Sequence, residues 1–225
     1  MFDMMVILYT ERDLLAMPIS SGYPEIRMPS VTFSARDRRL ANLIWRQGPL
    51  ARADLHTISG VHPNQVGISV DRLLRLGLIT EGVGKSEGRG RPSVPLEVRA
   101  AGSEVLGVSV SIGHVSSVRL DLRGRVQGEA RDVSSDDAAK LVRLAAAAVK
   151  KNVSPSVLAV GVSVPGLVDP ETRSLLFSST DPQARNVSLD PIFEAAGDRT
   201  VVINNDQHAL AARWLLTHRV DPTQD

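Results

Sequence analysis

At 225 residues, with 43% hydrophobic and 23% charged side chains, the chain has an ordinary globular balance that excludes disordered and fibrous classes and allows one large domain or two small ones. It has no cysteine, which excludes a disulfide framework and a thiolate zinc site; a reducing, cytoplasmic setting is expected. Net charge is only +1, yet residues 34–98 hold ten basic and six acidic side chains, so the positive excess is concentrated where a phosphate-binding module would need it.

Residues 1–33 open on an apolar stretch, Met4 to Tyr9, flanked by Asp3, Glu11 and Asp13. Without a basic leader or a small-residue cleavage site it does not read as a signal peptide, and no run approaches the ~20 apolar residues of a membrane span. Pro18, Gly22, Pro24 and Pro29 interrupt any periodicity, so a poorly ordered leader is expected, and an early start codon explains the stretch equally well.

From Ser34, an N-cap candidate, the spacing of Leu40, Leu43 and Ile44 predicts a helix ending at Gly48-Pro49. A second, short helix is predicted from Ala51 to Ser59, stopped by Gly60. A third starts at His62-Pro63, where proline at the first helical position costs no hydrogen bond, and runs through Val66, Val70, Leu73 and Leu74 to Gly77. The period then changes: Leu78 to Glu81 reads as a strand, Gly82 to Pro92 as a glycine-rich loop, and Ser93 to Val98 as the returning strand. Three helices followed by such a ribbon are the parts of a winged helix-turn-helix, expected over residues 34–98.

A recognition helix lays its N-terminal residues against base edges while the preceding helix braces it on the backbone. This places Asn64, Gln65, Ile68 and Ser69 near bases, and Asn and Gln suit bidentate pairing with adenine. Arg52, Arg72 and Arg75 are expected to touch or face phosphates. The alternative is that these polar side chains form a solvated helix face. In the loop, Lys85, Arg89 and Arg91 surround Gly88 and Gly90 before Pro92, a slim cationic tip suited to a narrow A·T-rich minor groove; the Arg-Gly-Arg-Pro core also resembles an AT-hook. Glycine and arginine are, however, common in any exposed hairpin loop.

Beyond Ala100 three strands are predicted, Val105 to Ile112, Val115 to Leu122 and Arg125 to Val133, then an alanine-rich helix from Asp136 to Lys151. The apolar run Val157 to Val164 fits a strand covered on both faces. A helix near Leu189 to Ala196, a strand Thr200 to Asn204 and a helix from Asp206 to about Thr217 follow, giving a mixed α/β domain over residues 104–225.

This order of segments, with Gly77-Leu78-Ile79 closing the third helix and Gly90-Arg91-Pro92 in the wing, resembles the regulators of the ROK family (repressors, open reading frames, kinases). Gly161-Val162-Ser163-Val164-Pro165-Gly166-Leu167-Val168-Asp169 looks like that family's glycine-proline loop, Asn205-Asp206 like its sugar-contacting pair, and Arg185 to Leu189 like a segment between them. The resemblance covers about residues 36–218 and implies an actin-like, sugar-kinase-type N-terminal lobe with Gly166, Asn205 and Asp206 as sugar-binding residues.

In the family's kinases the first hairpin of this lobe carries Asp-x-Gly-x-Thr. With the register set by Leu120 to Gly124, these positions fall on Ser109, Ser111 and Gly113, so ATP transfer has no foothold and Asp206, the kinases' general base, is expected only to bind. An Asp capping the helix after the strand is an equally good reading of that residue, and the two are compatible. The family's second lobe should follow Leu216, and the chain ends at Asp225, so the expectation is either a naturally shortened regulator or a fragment of a longer reading frame, in both cases without that lobe, its zinc or a cofactor. The implied function is a DNA-binding regulator, a sugar-responsive repressor rather than an enzyme. It would act as a homo-oligomer on an operator duplex, with a small sugar as effector and no membrane contact. The alternatives are a sugar kinase with an accessory DNA-binding domain, or a remnant without effector response.

Overall fold

The computed structural model describes residues 33–84, 93–111, 113–132, 135, 137–179 and 181–210. The first helix, α1 (Ala35–Gln47), starts on a reciprocal cap: the Ser34 hydroxyl accepts from the Asp37 N–H and the Asp37 carboxylate accepts from the Ser34 N–H. Two otherwise orphaned donors are satisfied in this way, as the first turn of a helix requires. Helix α2 (Arg52–Ser59) ends on Gly60, whose φ of 68° suits the left-handed position that closes a helix. Helix α3 (Pro63–Arg75) has Pro63 in its first turn and closes through Gly77, at φ 67°. The chain then forms the antiparallel ribbon β1 (Ile79–Glu81) and β2 (Leu96–Val98), with Ile79 opposite Val98. Leu40, Ile44, Leu55, Val66, Leu73 and Leu96 are buried between helices and ribbon.

Next comes the meander β3 (Glu104–Ser111), β4 (His114–Asp121) and β5 (Val126–Asp132), followed by α4 (Ala138–Asn152) and β6 (Val157–Val164). A small antiparallel sheet of β7 (Gly166–Asp169), β8 (Ser174–Ser178) and β9 (Arg185–Ser188) precedes α5 (Asp190–Ala196) and β10 (Thr200–Asn205); residues 206–210 are helical. The main sheet has the order β10-β6-β3-β4-β5, with β3 parallel to β6 and β6 parallel to β10.

Strand alternation decides which face each side chain serves. Leu106, Val108 and Val110 of β3 join Leu141, Ala145 and Val149 of α4 in one core with α5. On the opposite face, Val105, Leu120 and Ala159 share a core with the N-terminal helices. Further along this second face the apolar side chains give way to Gly107, Gly161 and the hydroxyl pair Ser163 to Ser109, 3.1 Å apart.

The predicted helices and main-sheet strands occur within a residue or two of their expected limits. The sheet β7-β8-β9 was not anticipated, because its strands are only four or five residues long and carry no sustained alternation. Residues 1–32 and the end of the last expected helix, beyond residue 210, lie outside the described residues. Among the described residues no helix is long and apolar enough to cross a membrane.

Candidate nucleic-acid interface and ligand loop

Helix α3 buries Val66, Ser69, Val70 and Leu73 against α1 and α2. The residues left outside are Asn64, Ile68, Asp71 and Arg75, which recur at helical spacing and form one free stripe; Ile68 keeps 55% of its surface. Gln65 is half-exposed beside it. His62 caps the helix, its ring Nδ1 3.4 Å from the Asn64 N–H.

Ser69 corrects the expectation placed on it. It is 0% exposed, and its hydroxyl accepts from Arg36 Nε at 2.9 Å while also bonding the Asp37 carboxylate, so it cannot reach a base. The helical period explains this: Ser69 lies three residues after Val66 and four before Leu73, on the packed side.

Asp37 is the hub of this contact, with only 1% of its surface exposed. Burial pushes its carboxyl pKa up, but hydrogen bonds from Ser69 and from the backbone and hydroxyl of Ser34, together with the Arg72 guanidinium at 3.3 Å, outweigh that and hold it below the usual carboxylate range. Sequence reasoning missed Asp37, although its place three residues after Ser34 is the signature of a capping box.

Arg52, at the start of α2, reaches Glu81 of β1 at 2.8 Å and Asp71 of α3 at 3.3 Å. One guanidinium thus bridges the free stripe of α3 and the ribbon, which therefore open onto a common surface. Arg75 is exposed on the same helix, its Nε donating to the Asp71 carbonyl. Lys85, Arg89 and Arg91 lie outside the described residues.

The helical unit is fixed to the sheet by polar contacts as well as by the shared core. Trp45 Nε1 donates to the Leu122 carbonyl at 3.1 Å. Arg123, in the β4–β5 turn, donates to the Val98 carbonyl at 3.2 Å and pairs with Glu97 at 2.6 Å.

At the far end of the sheet the structure brings Gly166 and Asn205 together: the Asn205 side-chain amide donates to the Gly166 carbonyl at 2.6 Å. Gly166 has φ 147°, and a Cβ there would run into the Phe177 carbonyl, so only glycine fits. Asn205 also accepts the Gln207 N–H at 2.8 Å, the N-terminal capping bond that sequence reasoning had offered to Asp206. Asp206 takes the same N–H at 2.9 Å. Ser109 and Ser111 lie on β3, with Gly113 in the turn to β4 at φ 74°.

A scan against protein-family models matches none. Among curated proteins the chain is 30% identical over 193 residues to an uncharacterized protein, y4fQ, of Sinorhizobium fredii, covering 79% of this chain and 47% of that one. It is 23% identical over 176 residues to the xylose repressor of Bacillus spizizenii, covering 74% of this chain and 44% of that one. The chain thus spans about half the length of the curated relatives it matches. A crystal structure of a ROK family transcriptional regulator, described as a homologue of the E. coli Mlc protein, superposes with a TM-score of 0.62 at 25% identity, covering 77% of this chain and 46% of that one. Over the span that these comparisons cover, the chain is similar in sequence and fold to regulators of the ROK family of repressors, open reading frames and kinases.

Proposed function

We propose that this chain is a DNA-binding transcriptional regulator, a carbohydrate-responsive repressor in which residues 34–98 form a winged helix-turn-helix and residues 104–225 a sugar-binding lobe, with residues 1–33 as a leader. The observation that carries the reading is the Arg52 bridge: Asp71 on the free stripe of α3 and Glu81 on the ribbon are within reach of one side chain, so helix and wing can address neighbouring grooves of one duplex. In this reading Asn64, Gln65 and Ile68 meet base edges, Ile68 offering an apolar contact for a thymine methyl. Arg75 faces phosphate from the exposed flank, and Lys85, Arg89 and Arg91 enter the minor groove. Arg52 and Arg72, each already held by carboxylates of the chain, position the helices rather than supply free charge.

Gly166, Asn205 and Asp206 form the sugar-contacting loop, and the names of the xylose repressors point to a pentose such as xylose as effector. The protein works in the cytoplasm as a homo-oligomer on a two-fold operator, and differential sugar affinity of its DNA-competent and incompetent states provides the response. No phosphoryl transfer is assigned, since serines occupy two of the three positions where the family's kinases grip phosphate.

The deciding experiment is selection of genomic fragments by the purified full chain at fixed salt. Enrichment of a two-fold sequence with A·T-rich flanks is expected, with flank binding weakened by Arg89→Ala combined with Arg91→Ala. Failure to enrich any sequence overturns the reading. Calorimetry with xylose and glucose tests the effector, and a coupled ADP-release assay with the same sugars is expected to stay flat.

A further inference from the structure

Gly67 lies half-buried on the flank of the free stripe of α3, three residues after Asn64 and four before Asp71. Among the described residues nothing explains a glycine there. Its backbone is ordinary right-handed helix, with no positive φ to accommodate, and a Cβ built on it would meet no atom within 4 Å. Gly166 and Gly48 differ, because at both a Cβ would strike a backbone carbonyl of the chain itself, that of Phe177 and that of Ile44. Glycine is also the poorest helix former after proline, so at an open helical position it weakens the fold. A residue that costs stability and relieves no internal contact suits an external one.

We propose that Gly67 is a close-approach notch, a specificity-determining position at which the bare backbone of α3 lets the edge of a DNA duplex come within contact of the helix between Asn64 and Ile68. The proposal rests on the DNA-binding reading above. Its chemistry is steric: a side chain at 67 projects beside Asn64 and Asp71, lifts that flank of the helix from the groove floor and lengthens the neighbouring base contacts. Hydrogen bonds weaken steeply with such displacement, so one methyl group is felt at several contacts at once.

The test is Gly67→Ala in the full chain, read out twice. One readout is the thermal midpoint. The other is affinity for the duplex that the unmodified protein enriches most strongly from a random pool, with mixed-sequence DNA as competitor. The notch predicts opposite signs: a midpoint raised by about 2–4 °C and an affinity weakened by about tenfold or more. Gly67→Gln is expected to bind more weakly still. Affinity within about twofold of the unmodified protein for both variants overturns the notch and leaves the DNA-binding reading standing. A lowered midpoint in Gly67→Ala also overturns it, because the glycine would then serve the fold. Failure of the unmodified protein to enrich any duplex removes both.

Discussion

The indole N–H of Trp45 donates to the carbonyl of Leu122 at 3.1 Å, joining the end of α1 to the turn between β4 and β5 across 77 residues of sequence. Around this bond Leu122, Leu120 and Val105 of the sheet pack into the same core as Leu40 and Ile44 of α1. The helical unit and the sheet are therefore expected to melt as one. Fluorescence of Trp45, isolated by Trp214→Phe, and far-ultraviolet circular dichroism are expected to report coincident denaturant transitions. Trp45→Phe keeps the packing but strands the Leu122 carbonyl, and is expected to cost about 1–2 kcal/mol. Two separate transitions in the parent protein would show that the junction does not couple the units.

Asp37 gives the fold a sensitivity to acid. Its folded-state pKa lies below the unfolded value, so the stability it contributes is fully present above the unfolded pKa, about 3.9, and is lost as pH falls through the lowered folded value. Asp37→Ala removes the reciprocal cap and leaves Arg72 and Ser69 without the carboxylate. A loss of about 2–3 kcal/mol at neutral pH is expected, with a flatter acid limb in a plot of thermal midpoint against pH. An acid limb unchanged by the substitution would assign that sensitivity to other groups.

Ser69 and Gln65 are expected to separate packing from the proposed base reading on a single helix. Ser69→Ala is expected to lower stability by about 1 kcal/mol, through the lost Arg36 and Asp37 contacts, and to leave base preference as it was. Gln65→Ala is expected to do the reverse, shifting the selected sequence while thermal midpoints stay nearly level. The comparison needs only the two selection profiles and the two melts.

Gly166 and Asn205 are expected to behave unequally. Gly166→Ala forces a Cβ against the Phe177 carbonyl and a side chain into a φ that only glycine adopts readily, for a cost of at least about 2–3 kcal/mol. Asn205→Ala loses one bond to Gly166 and one to Gln207, for about 1–2 kcal/mol. If sugars bind this loop, the second variant still folds and its calorimetric heat disappears; retained heat would move the sugar site elsewhere.

Much of the architecture was legible because the elements are long and strongly patterned. Val157 to Val164 is apolar nearly throughout, and the parallel neighbours β3 and β10 on either side account for that. The turns at His62-Pro63 and Gly77 fixed both ends of α3 from backbone chemistry alone. The strands of the small sheet were not legible: Arg185–Ser188 is mostly exposed, and its pairing with β8 is a tertiary fact without a local signal. At the interface, residue type misled where spacing would not have. Ser69 looked like a base reader because it is polar, yet its place between Val66 and Leu73 already put it inside. Arg52 and Arg72 were assigned to phosphates by charge, and only the fold showed the carboxylates beside them.

That internal neutralisation has a thermodynamic signature. A cation already balanced by its own chain neutralises less phosphate charge on approach and so liberates fewer counterions when a complex forms. With Arg52 between two acids and Arg72 against a buried one, the logarithm of the association constant for the proposed DNA complex is expected to fall less steeply with the logarithm of salt than ten basic side chains imply. In the proposed complex, discrimination between sequences would then lean on shape and on the uncharged groups of the helix, and is expected to persist at ionic strengths where a purely cationic binder lets go.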